Sequence, residues 1–456
     1  MSLKYEGQYN IPFTRTYNMT ILNNLTKGFA VIFFVLFITS CNLFEEVKKE
    51  KVKVNVYNDK IQAVINSKDN SKAKIDAYKN LVDQINTNIN SKKLSKNLLV
   101  ACYYQLSTEY SNIDSLDEVI NSCNAAIKLD SNNKYVYYNR GLAFQKKEEY
   151  AKAISNYDRV IDIDPDYVIT YLQRAICYQL IEEASKAIPD YEKIIKLVPA
   201  DAQVYYGLAH AYMQTDNVDN AIRNYDIVLK LDSTHVEAYY DRGYAYQIKK
   251  EYDKAISNYD ESLQLDEDNY NAYNNKGFCL LQKGDKSGAL LNLNKAIKIN
   301  PNFALAYNNK GLIYDGQKEY NKAVIFFSKA IEADSLYAEA FFNRGNLYTD
   351  MRLIDKAIVD MNSAIAIDSA YVEAYKNRAR LYTVKKEYDS ALSDYKTVTQ
   401  LAPKWAEAFY HIGNLYESKH NNSEAIVNYE KAISIDEVSK NGVKKLAQAR
   451  LDRLSK

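Results

Sequence analysis

The chain has 456 residues, of which 59 are basic and 58 acidic, for a net charge of +1. That balance excludes the partners a strongly charged chain attracts, nucleic acid and acidic surfaces among them. His210, His235, His411 and His420 are scattered without ligand spacing, and no nucleophile or paired-carboxylate constellation stands out, so no metal, no cofactor and no enzymatic activity are expected.

Gly28 to Ile38 (GFAVIFFVLFI) is an apolar run preceded by Lys27. A spanning helix needs about twenty such residues, so the run reads as the core of a secretory signal. The residues Ile38-Thr39-Ser40-Cys41 resemble the lipobox of bacterial lipoproteins. That resemblance implies cleavage before Cys41, lipidation of its thiol and new amine, and membrane attachment, since stable anchoring takes at least two acyl chains. Residues 1–40 are then a signal peptide, and Met19 offers a second start with a more ordinary leader. By the same resemblance Asn42 points to the bacterial outer membrane, while Glu45-Glu46 is similar to surface-export signals; periplasmic side or cell surface stays open. Residues 41–99 are Lys- and Asn-rich with short helical patterns (Ile75, Tyr78, Leu81, Val82, Ile85) and read as a tether plus a divergent helical pair.

From Lys134 to Glu437 the chain keeps a strict step of 34 residues without insertion. One ladder runs Ala153, Ala187, Ala221, Ala255, Ala289, Ala323, Ala357, Ala391, Ala425, and a second runs Gly141, Ala175, Ala209, Gly243, Gly277, Gly311, Gly345, Ala379, Gly413. Large apolar residues stand four before the second ladder (Tyr137, Tyr171, Tyr205) and three after it (Phe144, Tyr178, Tyr212), which is one face of a helix. The other half of each period, such as Ala153, Ile154, Tyr157, Val160 and Ile161, makes a second amphipathic helix. Small residues mark where the helices approach. Asp164-Pro165, Val198-Pro199, Asn300-Pro301 and Ala402-Pro403 stop the second helix. Asp232-Ser233, Asp334-Ser335 and Asp368-Ser369 fill the same slot and suit capping of the next helix. The pattern predicts an all-α solenoid of antiparallel helix pairs.

These positions resemble the tetratricopeptide repeat family over residues 100–437, about ten units including a degenerate first copy. The resemblance implies a right-handed superhelix whose concave groove is lined mainly by the first helix of each pair. It also implies a protein–protein interaction scaffold. Residues 438–456, with Val443, Leu446, Ala447, Leu451 and Leu454 among charges, read as the capping helix that open-ended arrays require.

In that family the position two residues before the Gly/Ala ladder faces the groove. Here it reads Asn139, Gln173, Gly207, Asp241, Asn275, Asn309, Asn343, Asn377, His411. An amide pairs with both backbone groups of an extended peptide whatever the peptide's side chains. Tyr138, Tyr206, Tyr240, Phe342 and Tyr410, joined by Tyr244 and Phe278, line the same groove and suit an interface. Early repeats are apolar there (Leu142, Leu172, Ile176, Ile248) and late ones polar (Asn346, Asp350, Lys376, Arg380, Asn414), which orients one ligand along the groove.

A basic residue directly before the ladder recurs as Arg140, Arg174, Arg242, Lys276, Lys310, Arg344 and Arg378. The pairs Arg174–Asp190, Arg344–Asp360 and Arg378–Asp394 are expected to bridge the two helices of one repeat. Cys177 and Cys279 read as small buried hydrophobes, whereas whether Cys102 and Cys123 are bonded stays open. The expected function is a lipid-anchored, non-enzymatic adaptor that binds an extended peptide or a partner helix in its groove. The alternative is an accessory lipoprotein of a pilus or outer-membrane assembly machine that uses its convex face or array ends.

Overall fold

The computed structural model describes residues 51–88, 92–439 and 442–454; the signal segment, Met19 and Cys41 lie outside them. Every regular element among the described residues is an α-helix. The chain divides into two compact units, up to Ala238 and from Tyr239.

The first unit opens with Lys51–Asn66 and Ser71–Asn88. Their Tyr57, Ile61, Ile75, Tyr78 and Ile85 close one core with Leu98, Leu99 and Cys102 of the long helix Lys92–Asn112. That helix pairs with Leu116–Leu129, and three regular pairs follow: Lys134–Lys146 with Tyr150–Ile163, Val168–Leu180 with Ala184–Leu197, and Ala202–Gln214 with Val218–Leu231. The boundary falls in the first turn of Val236–Ile248, most of which belongs to the second unit and pairs with Tyr252–Leu265; Tyr270–Gln282 with Lys286–Ile299 and Ala304–Gly316 with Tyr320–Ala333 follow. The second unit continues with Ala338–Asp350 and Ile354–Ile367, Val372–Val384 and Tyr388–Leu401, Ala406–Ser418 and Asn422–Ser439, then ends on Val443–Leu454. This last helix buries Val443 and Ala447 beside Tyr429 and Ala432, while Leu446 faces solvent.

The ladders have separate physical jobs. All the alanines from Ala153 to Ala425 are fully buried. The glycines seat a bulky side chain from the trailing helix of their own repeat. A Cβ on Gly141 would meet the Tyr157 ring at 2.6 Å, one on Gly311 the Phe327 ring at 2.5 Å, and one on Gly413 the Tyr429 ring at 2.6 Å. Gly207, which breaks the asparagine series, has the same cause: a Cβ there would lie 2.7 Å from Tyr191, a ring packed from the preceding repeat.

Each leading helix ends on a left-handed residue, and the slot recurs every 34 positions. Only Gly284 is a glycine; the others include Glu148 (φ 61°), Lys250 (φ 61°), Lys318 (φ 62°) and Lys386 (φ 64°). The geometry is held by a long return bond, as from the Glu149 N–H to the Phe144 carbonyl (2.9 Å) or from Glu319 to Tyr314 (2.9 Å), which satisfies an end carbonyl of the helix. At the other turn, Asp232, Asp334 and Asp368 do not cap the next helix. Each carboxylate accepts the N–H two residues on, from Thr234, Leu336 and Ala370 at 2.9 Å. The capping place comes three residues after each of those aspartates and two after the serine. Asn133, Asp201 and Asn269 fill it with side-chain caps, His235 accepts the Ala238 N–H at 3.3 Å, and Tyr167, Phe303, Tyr337, Tyr371 and Trp405 fill it without capping.

Cys102, Cys123, Cys177 and Cys279 are free, buried thiols, so Cys102 and Cys123 are not bonded here. Burial pushes each of them up to about 12.

Candidate functional site

The leading helices of the second unit carry four of the five named asparagines, and each donates a side-chain hydrogen bond to the leading helix of the repeat before it. Asn275 Nδ2 donates to Tyr240 Oη (3.0 Å), and Asn275 Oδ1 accepts from Asn274 (3.1 Å). Asn309 Nδ2 donates to Asn274 Oδ1 (2.9 Å), Asn343 to Asn308 (3.0 Å), and Asn377 to Asn346 (2.7 Å). Each amide therefore has one N–H committed to the leading helix before it. Asn309 is buried at 4% exposure, whereas Asn275, Asn343 and Asn377 stay half-buried. In the first unit Asn139 does the same work with hydroxyls, donating to Ser107 (3.1 Å) and Thr108 (3.5 Å).

Asn274 and Asn308, both buried, escaped the sequence reading because that position usually carries an aromatic or aliphatic residue here. The available signal was the stretch Tyr-Asn-Asn-Lys-Gly, which occurs at 273–277 and again at 307–311.

The aromatic positions are drawn further into packing. Tyr138 and Tyr206 are buried. Tyr138 meets Tyr157 and Tyr167, with ring centroids 6.0 and 5.6 Å away, and Tyr206 lies between His210 (4.6 Å) and His235 (4.7 Å). Tyr240, Tyr244, Phe278, Phe342 and Tyr410 are half-buried. Tyr240 rests on Tyr259 at 5.8 Å, Phe342 on Tyr371 at 4.9 Å, and Tyr410 on Tyr429 at 5.8 Å.

Burial shifts several ionisable groups on the same helices. It raises Glu339 although Tyr337 and Asn343 hydrogen-bond the carboxylate, and it raises Asp315 together with the nearby charge of Asp350. Burial pulls the His411 imidazole down, where its ring stacks on Tyr395 at 5.1 Å. Lys376 lies over the Trp405 ring at 4.1 Å and pairs with Glu373 at 3.4 Å. The surface is mixed in charge, with no single sign to steer a ligand.

The basic slot behind this face is structural. Arg174 donates to Asp190 through Nε (2.9 Å) and Nη2 (2.6 Å), Arg344 to Asp360 at 2.8 Å through both, and Arg378 to Asp394 at 2.8 and 2.6 Å. These are the bridges expected from the spacing. The remaining arm reaches the trailing helix of the preceding repeat, at Asp158 (2.6 Å), Ser328 (2.9 Å) and Asn362 (2.7 Å). One guanidinium thus ties three helices, and the fork geometry of arginine is what allows it.

Tetratricopeptide repeat models match residues 100–133, 135–167, 202–235, 236–269, 279–318, 304–335, 338–371 and 406–438. No curated protein matches the chain. Among solved structures it is similar to the MamA protein (27% identity, 38% of this chain and 93% of that one, TM-score 0.36). It is also similar to YrrB, described as a TPR protein with an unusual peptide-binding site (27% identity, 40% and 95%, TM-score 0.32). Yeast Tom70 matches over 89% of this chain and 96% of its own at 15% identity, with a TM-score of 0.46. With these repeat matches spanning more than half of its length and helix pairs at the matching period, the chain belongs to the tetratricopeptide repeat family.

Proposed function

We propose that this chain is a non-enzymatic adaptor, held on the bacterial outer membrane by lipid on Cys41, that binds an extended peptide or a partner helix along its leading helices. The observation that carries the reading is the amide series of the second unit. Asn275, Asn343 and Asn377 are half-buried, and each is held by a bond to its neighbour, so their orientation is fixed before a ligand arrives. Preset polar groups lose little freedom on binding, which favours recognition of a peptide backbone.

Pull-down from membranes with the parent chain, and with Asn275, Asn343 and Asn377 changed to alanine, tests the groove. Loss of a bound protein supports it, and an unchanged set of partners removes it. For the anchor, a Cys41→Ser chain that still sediments with membranes refutes lipidation at that residue.

A further inference from the structure

The trailing helices of the second unit carry a feature the groove does not use. On the 34-residue step, Leu291, Ile325 and Val359 of three consecutive helices are 59, 52 and 61% exposed, and Val427 is 59% exposed, whereas Ser257 and Ser393 hold the same place in the other two. The equivalent residues of the first unit are Ser155, Pro189 and Arg223. A recurrent exposed apolar row marks an interaction surface more often than a scattered leucine does. Four residues further along the same helices the charge changes sign between consecutive repeats, from Glu261 to Lys295 and Lys329, all exposed. Lys298 lies beside Lys295, while Glu267 and Asp268 follow Glu261 and the 44% exposed Leu265. Lys295 lies over the Tyr273 ring and Lys329 over those of Tyr307 and Phe326, and Lys295, Lys298 and Lys329 have no ion-pair partner among the described residues.

We propose that this face is a docking surface for a second copy of the chain. Glu261 and Lys295 on neighbouring helices make a pair that is self-complementary under a two-fold, and the same operation covers Leu291 with Ser257 of the other copy. A two-fold axis parallel to Tyr252–Leu265 and Lys286–Ile299 and midway between them sets Glu261 of each copy over Lys295 of the other. A purely acidic partner or an anionic membrane would be repelled by Glu261, Glu267 and Asp268.

Sedimentation velocity of the full chain tests this, with salt at about 0.1 M and about 1 M, where screening differs most. The expected result is a concentration-dependent dimer that weakens in high salt. Lys295→Glu with Lys298→Glu, or Glu261→Lys with Glu267→Lys, raises the dimer dissociation constant by about tenfold or more, and mixing the two reversed chains restores pairing. Leu291→Ser with Ile325→Ser also weakens the dimer without changing the helical circular dichroism, because both side chains already face water. A parent chain that stays monomeric at low salt, or reversed chains that pair as well as the parent, overturns the proposal. So does a monomer that binds phosphatidylglycerol vesicles through Leu291 and Ile325.

Discussion

Arg174 in the first unit and Lys310 in the second hold the same slot in their repeats, yet their surroundings differ. Arg174 meets a carboxylate on either side, Asp158 and Asp190. Lys310, only 9% exposed, meets Asn294 Oδ1 at 2.7 Å and, where Arg174 has Asp190, the ring of Phe326 at 4.1 Å. Around Lys310 the repeats are stitched instead by Asn309 to Asn274 and Asn343 to Asn308. The two solutions fix different joints. The guanidinium ties a leading helix to trailing helices, whereas the amides tie leading helix to leading helix along the face proposed to receive a partner. The two kinds of tie coexist where Asn343 and Asn377 stand beside Arg344 and Arg378, and of these repeats it is that of Lys310 that joins its helices at this slot without a carboxylate.

The largest effect that would sharpen this contrast is at Arg174. Arg174→Ala strands Asp190, 4% exposed, as a buried carboxylate without its cation, and should cost about 3–5 kcal/mol of first-unit stability in urea unfolding. A loss below about 1 kcal/mol, as for an exposed pair, would erase the distinction between the two regions. Asn309→Ala leaves the buried Asn274 Oδ1 without its donor and should cost about 1–3 kcal/mol, while Asn377→Ala, at a half-buried site, should cost less. Equal losses at the two sites would show that burial does not set the strength of the stitch.

Lys310 gives the contrast a pH signature. Burial, and then the nearby charge of Lys329, pull its amine below the ordinary 10.5. The unfolded chain therefore binds the proton more tightly than the folded one, so stability rises with pH between the folded value and 10.5. Lys310→Met should remove that rise in the urea midpoint between neutral and alkaline pH, and an unchanged slope would contradict it. The smallest effect is at the turns. Lys318→Gly places the residue suited to a left-handed φ of 62° and should add about 0.5–1 kcal/mol, whereas Gly284→Ala, at φ 88°, should lose stability.

Periodicity made the helix pairs legible, because a strict step with aromatic–small–aromatic faces leaves few other structures. The arginine bridges were legible for the same reason: Asp190, Asp360 and Asp394 stand one fixed offset from their partners. The left-handed turns were not, since Glu148, Lys250 and Lys386 carry no mark of that conformation and the return bond alone imposes it. The candidate face was legible by position but not by role. A spacing places Asn309 or Tyr138 on a helix face, yet how deeply each sinks depends on neighbours such as Asn274 and Tyr167, one repeat away.

An uninterrupted step also makes the array editable in whole units. Excising residues 304–337 would bring Asn343 to the place Asn309 holds relative to Asn274, and Arg344 to the place Lys310 holds relative to Asn294. Asn274 already accepts from one such asparagine, and Asn294 from one such cation, so every severed tie has a ready substitute. An array built this way changes length by duplication or loss of a repeat without renegotiating its joints, and its reach becomes a heritable variable separate from its chemistry.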